Sequence, residues 1–207
     1  MPPREPQPER RAFFQSLTRK AGKAVIQQVD KRVAQRAVNW IRPPWALPEL
    51  EFLLACTRCG DCIQACPHQV VFPLPARLGL QVGGTPALNL RHRGCHCCAD
   101  WPCAAACQPQ ALRQPNTPDD APDDQPPPMP KLASTRLERA HCLAWQGPEC
   151  GACASACPIE GALTWRAEKP AIDPNRCNGC GRCREACIME PKAIQIRPLT
   201  PQTTPEP

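Results

Sequence analysis

Cysteine constrains this chain more than any other residue. Seventeen of its 207 residues are Cys, and sixteen of them fall into four groups of four. The groups are Cys56, Cys59, Cys62, Cys66; Cys95, Cys98, Cys103, Cys107; Cys142, Cys150, Cys153, Cys157; and Cys177, Cys180, Cys183, Cys187. In each, the fourth Cys follows the third by four residues, and Pro67 and Pro158 directly follow the first and third groups. The remaining composition shows why a fold would need them. There are five Trp, four Phe and no Tyr, against 29 Pro and 11 Gly, and Cys itself inflates the 42% hydrophobic fraction. That excludes a large packed enzyme core, and the Pro content excludes a long regular helical bundle. No apolar run approaches the ~20 residues of a membrane span. Core-poor domains take their stability from disulfides or metals instead.

The N-terminus bears on that choice. Residues 1–23 hold six basic residues, and the longest apolar run nearby is Ala24-Val25-Ile26. A secretory signal needs about 7–15 apolar residues. The expectation is a chain in the reducing cytoplasm, where disulfides are rare and clustered Cys bind metal. A secreted disulfide scaffold is the weakest reading, and the odd Cys count also speaks against it.

Spacing narrows the metal. C-x2-C-x2-C-x3-C-P, as in Cys56–Pro67, is the ligand run of bacterial 4Fe-4S ferredoxins. The second group reads C-x2-C-x4-C-x3-C, the third C-x7-C-x2-C-x3-C-P, and the fourth repeats the first spacing. Structural zinc is the alternative, but zinc ribbons separate two CxxC knuckles by a long stretch. All sixteen thiols are therefore expected to bind iron, in four 4Fe-4S clusters. Cys97 is left over. Using it in place of Cys98 would give C-x-C-x5-C, a poorer fit, so it is expected to be a spare thiol close to the ligands. His68, His92, His96 and His141 all lie near Cys groups that are already complete, and are expected to be polar surface or neighbours of the ligands.

Organisation follows the groups. Residues 1–44 form a basic arm with ten basic and three acidic residues up to Arg42. Ile26, Val29, Val33, Ala37 and Trp40 recur at helical spacing within it, so an amphipathic helix is expected from about Arg11 to Ile41. It would dock on the core or meet a partner or membrane surface. Nucleic acid is not expected, because no stacking aromatics or binding motif accompany the charge. Residues 45–113 hold the first two groups, with a turn at Gly83-Gly84 before a strand at Ala87–Leu90. Residues 114–130, with seven Pro and four Asp, read as a linker. Residues 131–198 hold the other two groups, with a hairpin across Gly161–Trp165 and Ala171–Asp173 and a strand at Ala193–Ile196. The tail 199–207 is expected to be disordered.

Each half resembles a bacterial dicluster ferredoxin, closely over 142–197 and more loosely over 56–113. That resemblance implies an α+β fold of two tandem dicluster units. In that family the fourth Cys of each group serves the other cluster. The implied sets are Cys56, Cys59, Cys62 with Cys107; Cys95, Cys98, Cys103 with Cys66; Cys142, Cys150, Cys153 with Cys187; and Cys177, Cys180, Cys183 with Cys157. A nested pairing of first group with fourth is the alternative, and the linker argues against it.

Ile41-Arg42-Pro43-Pro44-Trp45, Cys56-Thr57-Arg58-Cys59 and Cys142-Leu143-Ala144-Trp145-Gln146 with Cys150 together resemble the ferredoxin-type proteins of periplasmic nitrate reductase systems, the NapF type. The NapG and MauM ferredoxin-type proteins share the first stretches, and the x4 spacing and the Gly83–Pro86 turn look more like theirs. The NapF resemblance implies a cytoplasmic accessory protein that binds the immature nitrate reductase catalytic subunit and assists its cluster loading. The NapG and MauM resemblance implies an exported electron carrier. Arg10-Arg11-Ala12-Phe13-Phe14 looks like a twin-arginine signal, but Ser16-Leu17-Thr18-Arg19-Lys20 follows in place of an apolar segment. The cytoplasmic NapF reading therefore leads, with electron transfer as the alternative. No nucleotide loop, nucleophile–base pair or flavin fingerprint points to an enzyme.

Overall fold

The computed structural model describes residues 40–114 and 129–199. The expected N-terminal helix and the tail beyond Leu199 lie outside them, as does most of the linker. The first segment runs α1 (Glu49–Ala55), α2 (Asp61–Gln64), β1 (Val71–Pro73), a 3-10 turn at Ala76–Leu78, β2 (Pro86–Leu88) and α3 (Pro102–Ala105). The second runs β3 (Ser134–Leu137), a 3-10 turn at Arg139–His141, α4 (Leu143–Gln146), β4 (Leu163–Arg166), β5 (Lys169–Ile172), α5 (Arg182–Ala186) and β6 (Ile194–Arg197). Among the described residues every helix is seven residues or shorter. Such helices are marginal alone, so they hold their shape through what they pack against. None is long and apolar enough to cross a membrane.

Three two-stranded antiparallel sheets carry the rest. β1 pairs β2 with Val71 opposite Leu88 and Pro73 opposite Pro86. The turn at Gly83-Gly84 precedes it as the sequence suggests, although the strand stops at Leu88. β4 and β5 form the expected hairpin, with Arg166 opposite Lys169. Its two-residue loop, Ala167-Glu168, has φ of 46° and 61°. Positive φ at both loop positions is the type I′ geometry that matches strand twist. The strand expected at Ala193–Ile196 exists as β6, but its partner is β3 at the start of the segment. A bridge between Ala46 and Leu112 closes the first segment in the same way.

The largest apolar cluster gathers Ile41, Phe52, Val70, Val71, Leu88, Leu90, Trp101, Ala111 and Leu112 from the first segment with Leu132, Ala133 and Cys180 from the second. The two segments thus share a core. At its edge Arg42 is only 10% exposed, paired with Glu49 at 11%. Its guanidinium donates to Glu49 at 2.6 and 2.9 Å, to Thr85 Oγ1 at 2.9 Å and to Pro86 O at 2.8 Å. It also lies 4.5 Å from the centre of the Phe52 ring. Arg42 therefore ties the start of α1 to the start of β2, and with them the Cys56 end of the first group. Removing one partner of such a pair leaves a buried charge uncompensated, at a cost of about 3–5 kcal/mol. Arg42→Met is expected to lose that much in anaerobic guanidinium unfolding. Arg42→Met with Glu49→Leu should recover most of it.

Candidate metal centres

Short helices and left-handed turns deliver the thiols. α1 ends at Ala55, and the Cys56 N–H caps it by donating to Phe52 O at 2.8 Å. The third Cys of three groups sits in the first turn of a short helix, and the residue before each helix is left-handed. Gly60 (φ 88°) precedes Cys62 on α2, and Gly181 (φ 83°) precedes Cys183 on α5. In the second group that residue is Trp101, at φ 44°, ahead of Pro102 and Cys103. A non-Gly residue there costs about 1–2 kcal/mol. Burial of the indole, 7% exposed, and its edge-on contact with Trp45 at 5.4 Å offset that. The longer x4 spacing thus houses a Trp where the other groups use Gly. α4 occupies the C-x7-C interval of the third group, between Cys142 and Gly147.

The structure brings these thiols into four sets. Cys56, Cys59, Cys62 and Cys107 line one pocket. Cys66, Cys95, Cys98 and Cys103 line a second, and Cys142, Cys150, Cys153 and Cys187 a third. Each of the three encloses a cavity of about 20 Å³. Cys157, Cys177 and Cys180 gather around buried Cys183 as a fourth set. In every set the fourth Cys of one group crosses to the other group of the same segment, and the nested arrangement is not the one seen. Cys62 of the first set is close to Cys103 of the second, and Cys153 of the third to Cys183 of the fourth.

Electrostatics shows what such a set is built to hold. Burial, then the neighbouring Cys107, Cys56 and Cys59, push the Cys62 thiol up to about 12. Burial and Cys66 do the same to Cys103, also to about 12. Burial, Cys142 and Cys187 push Cys153 up to about 11, and burial followed by Cys180 and Cys177 takes Cys183 to about 12. Four crowded thiolates in an apolar lining would repel one another, so a cation must compensate them before they ionise at neutral pH.

The donor set is all sulfur, with all seventeen Cys free thiols. Both zinc and iron–sulfur clusters take four thiolates, and the C-x2-C-x2-C-x3-C spacing is what favours a cubane. Two N–H groups fit the same reading. Leu112 N–H donates to Cys107 Sγ at 3.4 Å, and the Trp165 indole N–H beside the third pocket is buried with no acceptor in the protein. Cluster sulfur is the acceptor such a donor lacks.

Of the His residues, His68 and His96 stack at 3.4 Å against the second pocket. Burial, then His68 and Arg182, lower the pKa of His96. Several supporting residues carried no signal in sequence. Lys131 donates to Pro174 O at 2.7 Å and also to Cys177 O, and Lys192 donates to Cys187 O. Asn178, 3% exposed, holds Cys180 N–H on its Oδ1 at 3.1 Å.

A chain of short helices and hairpins carrying buried Cys quartets is an iron–sulfur protein of the ferredoxin class. Residues 148–190 match the family model described as a 4Fe-4S dicluster domain. The chain is 36% identical to the ferredoxin-type protein NapG of Haemophilus influenzae, over 93% of its own length and 72% of that protein's. It is 32% identical to the methylamine utilization ferredoxin-type protein MauM of Methylobacillus flagellatus, over 92% and 84%. The ferredoxin-type protein NapF of Escherichia coli matches at 32%, over 74% of this chain and 83% of that one. No solved structure matches. The chain belongs to the family of NapG, MauM and related ferredoxin-type proteins. It binds 4Fe-4S clusters and is an electron-transfer protein rather than an enzyme. The narrower NapF assignment is not what these likenesses favour, since NapG and MauM match over more of the chain.

Two glycines of the Cys-rich turns, Gly179 and Gly151, separate packing from composition. A Cβ on Gly179 would lie 2.2 Å from Ala133 O, at φ 80°, whereas one on Gly151 would meet nothing within 4 Å. Gly179→Ala is expected to lose about four irons per chain, the content of one cubane, measured by iron analysis. Gly151→Ala should retain them all.

Proposed function

We propose that the chain holds four 4Fe-4S clusters in two tandem dicluster units and relays single electrons between partners of a nitrate reductase or methylamine utilisation system. The observation that supports this most directly is the crossing of the fourth Cys in all four sets. The ligands would be Cys56, Cys59, Cys62 and Cys107; Cys66, Cys95, Cys98 and Cys103; Cys142, Cys150, Cys153 and Cys187; and Cys157, Cys177, Cys180 and Cys183. Each cluster, when bound, supplies a site that takes up and gives up one electron. The protein's own residues orient the thiolates, exclude water through apolar linings such as Phe52, Leu112 and Val71, and donate hydrogen bonds to sulfur. Anaerobic protein is expected to hold about sixteen irons, four per cubane. Cys62→Ser should lose about four of them. Chelation should abolish most far-UV dichroism, since binding is folding free energy here. Stoichiometric zinc without iron would defeat the reading.

A second reading keeps the chain in the cytoplasm as a loading factor for the immature nitrate reductase catalytic subunit. Its support is the 32% identity to the ferredoxin-type protein NapF over 74% of the chain. The compartment separates the two. Under the relay reading the protein is recovered from the periplasm, and Arg10→Lys with Arg11→Lys retains it inside. Under the loading reading both forms stay in the cytoplasm, and wild type co-purifies with the unexported catalytic subunit.

A further inference from the structure

Two indoles stand beside the third set, and their N–H groups have different fates. Both rings pack on the apolar cluster that contains Cys142 and Cys187. Trp145 lies on α4, with the Arg139 guanidinium 4.0 Å and the Lys169 ammonium 5.2 Å from its ring centre. Its Nε1 donates to Pro170 O at 3.1 Å. Trp165 lies on β4, directly opposite Pro170. Its Nε1 is buried and has no acceptor in the protein. The carbonyl of its cross-strand partner is engaged by the other indole.

The hairpin fixes where the Trp165 ring stands. Leu163 and Trp165 share one face of β4, opposite Ile172 and Pro170 of β5. On that face Leu163, Trp165 and Ile172 pack against Cys153, Cys183 and Ile194, and Pro170 is fully buried. A ring set among a buried proline and the thiols of two groups is held by packing. Trp165 also lines the third pocket, together with Cys142, Cys150, Cys153 and Cys187. Among the described residues lining that pocket, it is the one side chain apart from the thiols that carries an N–H or O–H.

A buried donor without a partner leaves its desolvation uncompensated, and buried donors in native proteins are partnered. The side chains around this one are thiols and hydrocarbon. A neutral thiol is a weak acceptor, whereas the sulfur of a bound cluster carries negative charge and accepts more strongly. A donor to that sulfur stabilises the more negative, reduced state of the site and raises its potential. We propose that Trp165 Nε1–H donates to sulfur of the cluster held by Cys142, Cys150, Cys153 and Cys187, and raises the potential of that third site. The indole keeps its proton in both states of the site, and only an electron enters or leaves. A higher potential there draws the electron toward the third site and away from the fourth, its neighbour where Cys153 and Cys183 share one apolar cluster. This rests on the ligand sets proposed above.

Full-length protein, purified anaerobically, tests it by iron analysis and by reductive titration followed by electron paramagnetic resonance. The third site's signal is identified as the one lost in Cys150→Ser. Trp165→Phe keeps an aromatic ring and removes the N–H. It is expected to retain the wild-type iron content, with the third site about tenfold harder to reduce, about 59 mV lower for one electron. Trp145→Phe, which removes the N–H given to Pro170 O, should leave the third site's potential unchanged. A second measurement does not need the Trp165 variant to fold. Wild type isotopically labelled at the indole nitrogen of its tryptophans should show nitrogen coupling to the reduced third site, and Trp145→Phe should retain it. If Trp165→Phe loses iron, the labelled proteins decide alone. An unchanged third-site potential in iron-replete Trp165→Phe, an equal shift in Trp145→Phe, or no indole nitrogen coupling in labelled wild type would overturn the proposal. Wild type without any iron–sulfur signal would overturn the ligand sets, and this proposal with them.

Discussion

The fold depends on thiols standing where an apolar core would otherwise be. Cys62, Cys103, Cys142, Cys153, Cys180, Cys183 and Cys187 are all buried, and the elements around them are too short to be stable alone. Burial raises several of these thiols well above their ordinary range. Neutral, they are small apolar groups that bury little area. Ionised, they repel one another unless a cluster compensates them. Packing and metal binding are therefore one equilibrium in this chain, which is why a 207-residue protein with nine aromatic residues can hold its shape.

Crossing of the fourth Cys gives that equilibrium its reach. Cys66 belongs to the second pocket and Cys107 to the first. Cys187 belongs to the third, and Cys157 lies with Cys177 and Cys180. A defect at one site therefore loosens the loop that supplies its neighbour. The sheets reinforce the same closure, with β3 on β6 and Ala46 on Leu112 tying the two ends of each segment together. Cys62 lies close to Cys103, Cys95 N–H donates to Cys180 O at 2.7 Å, and Cys153 lies close to Cys183, so the sites are neighbours in the order first, second, fourth, third. Sequence order and spatial order differ because the second segment docks through its last Cys group.

Ligand spacing was the most legible part of the sequence, because a cubane dictates local intervals between thiols. The β4–β5 hairpin was legible for a similar reason: its pairing is local. The β3–β6 pair was not, since Ser134–Leu137 carries an exposed, alternating pattern that acquires meaning only beside Ile194–Arg197. Arg42 in Ile41-Arg42-Pro43-Pro44-Trp45 read as part of a family motif, and only the structure reveals the buried pair with Glu49 that makes it structural. Asn178 had no signal at all, because its partners Cys97 and Cys180 come from opposite sides of the linker.

Arg58, Cys97 and Gly179 explain how one repeated turn yields three different surroundings. Each must be left-handed for the second Cys of its group to reach its pocket, and each departs from the others in what the side chain then meets. Arg58 reaches the Leu80–Gly83 turn and pins it beside the first pocket. Gly179 has no side chain, which lets Ala133 approach to within 2.2 Å of where a Cβ would stand. Leu132 N–H, next to it, donates to Asn178 O at 2.7 Å, so the second segment's entering chain lies directly on the fourth group. A Cβ at Gly179 would push that chain away and with it Leu132, which packs in the core shared by both segments. Cys97 then faces Asn178 across the gap that Gly179 keeps narrow. The small residue in one group and the extra thiol in another both bear on Asn178, whose carbonyl takes Leu132 N–H and whose side-chain amide donates to Cys97 Sγ.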